Sequence, residues 1–435
     1  MKDGPISRRK AIRRLLDAAR PPEPVALSPM DCVGLVAAAD ISAGCDVPER
    51  ASSVRDGYAV RSADITASSG GRPTVLRVTH TVRAESGANR PVEPGTTARV
   101  LTGGMIPPGA DAVLAQEDVT SQGCAKPDPC RAPDIPIIPI IPIIPEIPEC
   151  IEVREPVRPG WFVRAAGGEI ARGHTIVRQG CEITPQAAAV MIRTRIETVP
   201  VHPRPCARVV ALGSELSDPT FSNAPGGDSP TARFPADNLV MASGLLARCG
   251  LERIETGVLP DSEERLVALL SSPDLPEIVI TTGGTGRSER DFARVGARRA
   301  GFVTLFDSLD IRPGRNMFAA HRGNTLLFGL PGPPAAVFAC FHAVILPAVR
   351  CLRGLAEPAQ PLTARLDTAI STRPGGEWLA LCSLKRAGAC MTATPLTGPD
   401  SPPMLAMALA HGAVVLEGGE ALLPGDEVEA LTTLY

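Results

Sequence analysis

Aromatic residues are scarce, 3% of 435, which excludes the stacking platforms that single-stranded nucleic-acid binders use. A basic excess is also missing. The net charge is −3, whereas a phosphate-neutralising face needs the opposite sign, so nucleic acid is not expected as a partner. The twelve cysteines contain no Cys-x-x-Cys and no Cys/His grouping at zinc spacing, so reduced, mostly buried thiols are expected. The six isolated histidines suggest neither a metal site nor a triad. No apolar run of 18 residues is read in the chain, and residues 1–20 lack the apolar centre of a signal peptide. The expectation is a cytoplasmic protein with no membrane partner.

What the chain does have is 41 glycines and 45 prolines, which suits small β-containing domains joined by tight turns. Its length predicts two to four domains. Residues 1–42 read as helical. Arg8, Arg9, Lys10, Arg13 and Arg14, set among Ile12, Leu15 and Leu16, predict a solvated basic face on an amphipathic helix. Residues 43–120 break into the short apolar pieces Val54–Val60, Thr74–Thr81, Thr97–Leu101 and Ala112–Ala115, an all-β pattern. In the interruption at 121–150, Pro136, Pro139, Pro142, Pro145 and Pro148 recur every three residues. That period matches a polyproline II rod, which either docks on a partner or lies over its own domain.

From 201 the pattern alternates. A strand Ala207–Leu212 precedes a helix Asp237–Cys249, which stops at Gly250. A strand Arg253–Val258 leads to Asp261, read as an N-cap with Glu264 completing a capping box. The helix that follows ends near Ser271, and a strand Ile278–Thr282 comes next. A helix near 291–300, strands near 302–306 and 324–328, and a helix from 334 to 352 complete a doubly wound, mostly parallel α/β domain. Its ligand is expected beyond the strands' C-terminal ends. Residues 353–435 return to short strands and form a small β domain.

The densest signal is EIVITTGGTGRSERD, residues 277–291. A buried strand empties into Gly283, Gly284, Thr285 and Gly286, then Asp291 and a helix. Bare backbone N–H groups beside a helix N-terminus receive phosphate-like charge. The alternative is a plain βα turn that needs positive φ.

Six segments in order resemble the molybdopterin molybdenumtransferase family, known as MoeA in bacteria and as the E-domain of gephyrin. Arg55-Asp56-Gly57-Tyr58-Ala59-Val60 resembles its MDGYA segment, and Thr102–Val113 its TGAxxPxGADAVV. Gly167-Gly168-Glu169-Ile170 resembles GxD(I/V), and Gly213-Ser214-Glu215-Leu216 resembles GDEL. Arg312-Pro313-Gly314-Arg315 resembles KPGK, and Gly329–Pro334 resembles GLPGNP. The resemblance spans nearly the whole chain except 121–150.

It implies a helical linker domain (1–42 plus 165–200), an inserted β module (43–164), a molybdopterin-binding α/β domain (201–352) and a C-terminal β domain (353–435). It also implies a homodimer with the active site near the subunit interface. The implied reaction takes adenylylated molybdopterin and molybdate, with Mg²⁺, to molybdenum cofactor and AMP. Possible partners are molybdopterin adenylyltransferase and an apo-molybdoenzyme. The implied site would use Asp56, Glu215, Asp261 and Asp291 as catalytic and metal-holding carboxylates. Glu169, loop 283–286, Arg312, Arg315 and Ser401 would bind the pterin and its phosphates. Asp56, Glu169, Glu215, Asp261 and Asp291 are expected to converge as an acidic rim, one carboxyl delivering protons to departing oxo groups. The alternatives are local: a turn at Asp56-Gly57, a cap at Asp261, a helix start at Asp291.

The sequence departs from the family at Ser214, Ala236, Ser308, Arg312 and Pro333. The loop TTGGTGxxxRD is closer to molybdopterin adenylyltransferase. Adenylyl transfer is therefore one alternative activity, and a non-catalytic cofactor carrier or scaffold is another.

Overall fold

The structure, a computed structural model, describes residues 4–68, 71–85, 87, 89–122, 149–218, 234–286, 292–357, 360–388, 390–396 and 402–433. The Ile/Pro-rich run, Asp291 and Ser401 lie outside the described residues. The chain divides into two compact units. The larger contains 1–40, 177–188 and 198–435, and the smaller 41–176 and 189–197.

The larger unit is organised by a six-stranded sheet. Its order is Ile254–Leu259, Ala207–Leu212, Ile278–Thr282, Thr325–Leu330, Phe318–Arg322, Val303–Phe306. The first four strands are parallel and the last two are joined antiparallel. Ile278–Thr282 is buried at every position, as a strand covered on both faces must be. The strand Phe318–Arg322 did not stand out in the sequence because it precedes Thr325–Leu330 and joins it by a tight hairpin turn with no helix between them. It makes the sheet mixed rather than wholly parallel. Helices Asp237–Arg248, Glu263–Leu270 and Phe292–Arg299 supply the connections.

The helical run after Thr325–Leu330, Pro334–Leu352, is long and apolar enough to cross a membrane by length and composition, yet 78% of its apolar window is buried inside the protein. An 18-residue apolar stretch thus does exist, and it is a core helix. Pro347 has no N–H to donate and clashes with the carbonyl four residues before it. The helix absorbs this as a π turn at Phe341–Ile345, and Leu346 N donates to Phe341 O.

Helix is confined to Arg8–Ala18 in the first 42 residues. Pro21, Pro22 and Pro24 force the chain out of helical geometry. Val25–Leu27 and Val36–Ala37 then flank Val199–His202 in a three-stranded antiparallel sheet. The segment expected to be helical is therefore mixed. Nor is the basic face wholly solvated. Arg8 is buried and pairs with Glu377 at 2.8 Å and Glu429 at 3.1 Å, which compensates a charge that would otherwise be costly to bury.

The C-terminal strands Glu377–Ala387, Cys390–Pro395, Leu362–Leu366, Glu427–Thr432 and Gly412–Leu416 close into a ring, because the first also pairs with the last. Ile311–Arg312 adds to it in parallel, so this sheet borrows a strand from the α/β segment. A short helix, Pro403–Leu409, also belongs here.

The smaller unit is a six-stranded sheet. Its order is Ala112–Ala115, Gly57–Val60, Thr96–Val100, Thr74–Val82, Cys150–Val153, Thr120–Gln122. All pairs are antiparallel except Thr74–Val82 with Thr96–Val100. The expected all-β pieces are strands here. All ten described cysteines are free, but only Cys32, Cys249, Cys340 and Cys382 are buried, and Cys181 and Cys390 are exposed.

His342 sits in the π turn, 1% exposed, with Nδ1 at 2.9 Å from Phe338 O. Burial pushes its pKa down to about 4. The folded state therefore binds fewer protons than the unfolded chain between that value and about 6.5. Its contribution to stability is complete above the unfolded pKa and is lost as pH falls toward the folded one, about 3 kcal/mol at most. In urea titrations, wild type should lose more stability between pH 7 and pH 4 than His342→Leu. Parallel pH profiles would contradict this.

Candidate active site

The carboxyl ends of the four parallel strands lie on one edge of the sheet. Gly213 N donates to Leu259 O at 2.9 Å, and Gly283 N to Leu330 O at 3.0 Å. These bonds begin the loops after the four strands side by side. Ligands of open α/β sheets bind in such a crevice.

Gly283 and Gly284 have φ of +90° and +64°. A Cβ on Gly283 would lie 2.5 Å from Leu212 O. Both the conformation and the close packing thus demand glycine, which bears out the local reading of the turn. The Gly283 N–H is spent on Leu330 and is not available to a ligand. Among the described residues the N–H groups of Gly284, Thr285 and Gly286 find no acceptor. Thr285 is buried, its hydroxyl 3.4 Å from Leu330 O.

Arg294, on the following helix, had no signal in the sequence. It donates to Thr285 O at 3.1 Å, Asp307 O at 3.1 Å and Asn316 O at 2.7 Å, and lies over the Phe318 ring. One guanidinium thereby ties the glycine loop to the turn at 312–316. Five donors in a fixed plane suit it to several carbonyls at once. That turn has a cis Arg312–Pro313 bond and Gly314 at φ +114°. It leaves Arg312 and Arg315 exposed, with Arg312 5.7 Å from the Trp378 ring.

Asp261 is not the cap of its helix. That role belongs to Ser262, whose Oγ accepts from Arg265 N at 3.3 Å. Asp261 instead faces Ser214. Its amide donates to Ser214 Oγ at 3.0 Å, and its Oδ2 accepts from Ser214 N at 3.4 Å. Glu215 folds its carboxylate back over Gly213, 3.0 Å from where a Cβ would stand. Glu215 and Asp261 are both exposed and gather about one loop. Asn238 joins the same edge, its Nδ2 donating to Gly332 O at 2.8 Å, while its buried Oδ1 has no partner.

Asp56 and Glu169 belong to the smaller unit. Asp56 Oδ1 accepts from Thr102 N at 2.6 Å and Thr102 Oγ1 at 2.7 Å. Two of the sequence segments singled out above, 55–60 and 102–113, thus meet in one contact. The next residue must be glycine, because a Cβ on Gly57 would lie 1.9 Å from Leu114 O. The Thr102 hydroxyl, then its amide, lower the Asp56 pKa by stabilising the carboxylate. Asp56 is therefore poorly suited to deliver a proton. Glu169 pairs with Arg164. Asp111, in the GADAV segment, is structural. It accepts from Ser62 N and Ser62 Oγ, both at 2.7 Å.

Among the described residues, no three His, Cys, Asp or Glu side chains gather closely enough to hold a metal ion by themselves. The carboxylates fall into local groups: Glu215 and Asp261 in the larger unit, Asp56 and Glu169 in the smaller.

Comparison with known proteins covers both units. Residues 6–194 match the MoeA N-terminal region (domain I and II), and residues 208–351 match the probable molybdopterin binding domain. The chain is 26% identical to a molybdopterin molybdenumtransferase of Staphylococcus aureus over 422 residues, covering 96% of this chain and 93% of the relative. It is 24% identical to molybdopterin molybdenumtransferase 2 of Mycobacterium tuberculosis over 374 residues, covering 85% and 84%. The crystal structure of a molybdopterin biosynthesis MoeA protein from Pyrococcus horikoshii superposes with a TM-score of 0.81. It is 23% identical and covers 99% of this chain and all of that one, a likeness of fold.

Replacing Thr102 by Val removes the hydroxyl and should raise the Asp56 pKa toward the ordinary carboxylate range. Carbon-13 titration of the aspartate carboxylates, with Asp56→Asn for assignment, would read the shift; an unchanged titration would refute the assigned cause. With residues 6–194 matching the MoeA N-terminal region, residues 208–351 matching the molybdopterin-type domain, and a fold shared with an MoeA protein along nearly its whole length, the chain belongs to the MoeA family.

Proposed function

We propose that the protein is a molybdopterin molybdenumtransferase, acting in molybdenum cofactor biosynthesis to insert molybdate into adenylylated molybdopterin with release of AMP. The observation that carries this reading is the edge of the α/β sheet. There, unspent N–H groups at 284–286, two exposed arginines and two carboxylates gather on one parallel-strand edge, inside a domain of the molybdopterin-binding type.

Each group has a task in such a reaction. Arg312 and Arg315 take phosphate oxygens, and the N–H groups of loop 284–286 add uncharged donors where phosphate charge is densest. Arg294 holds these two elements at fixed separation. Asn238, anchored through Gly332, ties the helix start to the loop after Thr325–Leu330 at the same edge. Asp291 and Ser401 are assigned to the same site from the family pattern alone.

Mg²⁺ fits the donor set. It requires only one or two carboxylates when substrate phosphates and water complete the shell, and Glu215 and Asp261 supply two. Bound there, it would neutralise phosphate charge. Asp56, held as the carboxylate by Thr102, and Glu169 act in this reading as acceptors on the smaller unit. The four-part division of the chain, the homodimer, the cytoplasmic location and the adenylyltransferase or apo-molybdoenzyme partners belong to the same reading.

Asp261→Asn should leave the folded state intact, since the Ser214 contacts made by its amide survive, but should abolish activation of an apo-molybdoenzyme in a reconstituted mixture. Full activation by this variant would remove Asp261 from the site. Arg312→Gln should raise KM for adenylylated molybdopterin by about tenfold, with kcat less affected. An unchanged KM would place the phosphates elsewhere.

A further inference from the structure

The smaller unit holds a cavity of about 370 Å³ between the turn at 45–52, the turn at 103–105 and residues 193–195. None of the roles assigned above uses it. Its wall carries three guanidinium side chains, Arg50, Arg193 and Arg195, against two carboxylates, Asp46 and Glu49.

The carboxylates are engaged. Glu49 pairs with Arg195 at 2.5 Å, and Asp46 Oδ1 accepts from the Arg172 amide at 2.7 Å. Arg50 and Arg193 make no ion pair or hydrogen bond among the described residues. Three guanidinium groups against two carboxylates leave the wall with one excess positive charge, and Arg50 and Arg193 are the cations without a paired acid among the described residues.

Its walls are held in place. Arg195 has φ +60°, a left-handed conformation that side-chain-bearing residues adopt only when the surroundings enforce it. Gly44 is pressed against Thr194 O, which would lie 2.7 Å from a Cβ there. The turn carrying Glu49 and the strained residue it pairs with are thus locked together. With Glu49 paired to Arg195, Arg50 and Arg193 outweigh Asp46 and keep the wall positive.

We propose that this cavity is an anion-binding site for a phosphate-bearing small molecule, clamped by Arg50 and Arg193. Guanidinium groups match phosphate oxygens in geometry and charge. The volume falls within the range of small-molecule sites, and Val47, Pro48 and Met105 give an apolar wall for the body of the ligand. The cavity is lined wholly by residues of the smaller unit, none of them assigned above to the crevice of the α/β domain.

Inorganic pyrophosphate is the probe. In the full chain, phenylglyoxal labelling of each arginine is followed by peptide mass spectrometry. Saturating pyrophosphate should slow labelling at Arg50 and Arg193 by about fivefold or more. Unchanged rates at both would overturn the proposal, whatever happens at Arg312 and Arg315. A second measurement silences the crevice with Arg312→Gln and Arg315→Gln and titrates pyrophosphate by calorimetry. Adding Arg50→Gln and Arg193→Gln should weaken the remaining one-to-one binding by about tenfold. Equal affinity, or no saturable binding before those changes, would also overturn it. Both arginines are exposed, so the variants should fold, and matching circular dichroism would verify that.

Discussion

The in-register ending of four parallel strands is the constraint on which the rest of the larger unit depends. Leu212 stands opposite Leu259, and Thr282 opposite Leu330. The bonds from Gly213 to Leu259 and from Gly283 to Leu330 extend that register one residue further. A slip of one residue would move every side chain of a strand to the opposite face of the sheet and displace the loops. With the register fixed, four stretches far apart in sequence start from neighbouring points. The chemistry of the edge follows from what each places there.

Local bonds then refine the edge. Ser214 and Asp261 clasp one another across two loops, while Arg294 gathers carbonyls from three segments. Its bonds to these carbonyls make Arg294 a strut between the loops. The smaller unit repeats the logic at Asp56, where a hydroxyl and an amide from Thr102 hold one carboxylate oxygen.

Much of this was legible in the sequence. Buried strands such as Ile278–Thr282 announce themselves as β-branched runs, and the six motifs point to the family. Other features depend on contacts that no local pattern records. Arg8 reads as one more solvated cation until Glu377 and Glu429 arrive from the far end of the chain. Asp261 fits a capping box, yet the next residue, Ser262, has the extended backbone and the hydroxyl placement that the cap requires. Arg294 and Thr102 carry no motif of their own, and their roles exist only once distant loops are side by side. The strand Ile311–Arg312 is claimed by a sheet whose other members lie beyond residue 360. The π turn could have been anticipated from Pro347 in an otherwise unbroken apolar helix.

Release of AMP from adenylylated molybdopterin by the purified protein, with and without molybdate in the presence of Mg²⁺, addresses the central claim most directly. The account predicts AMP release that depends on molybdate and accompanies formation of active cofactor. Tight binding of the pterin with no molybdate-dependent release would contradict it and leave the crevice a carrier's site rather than an enzyme's.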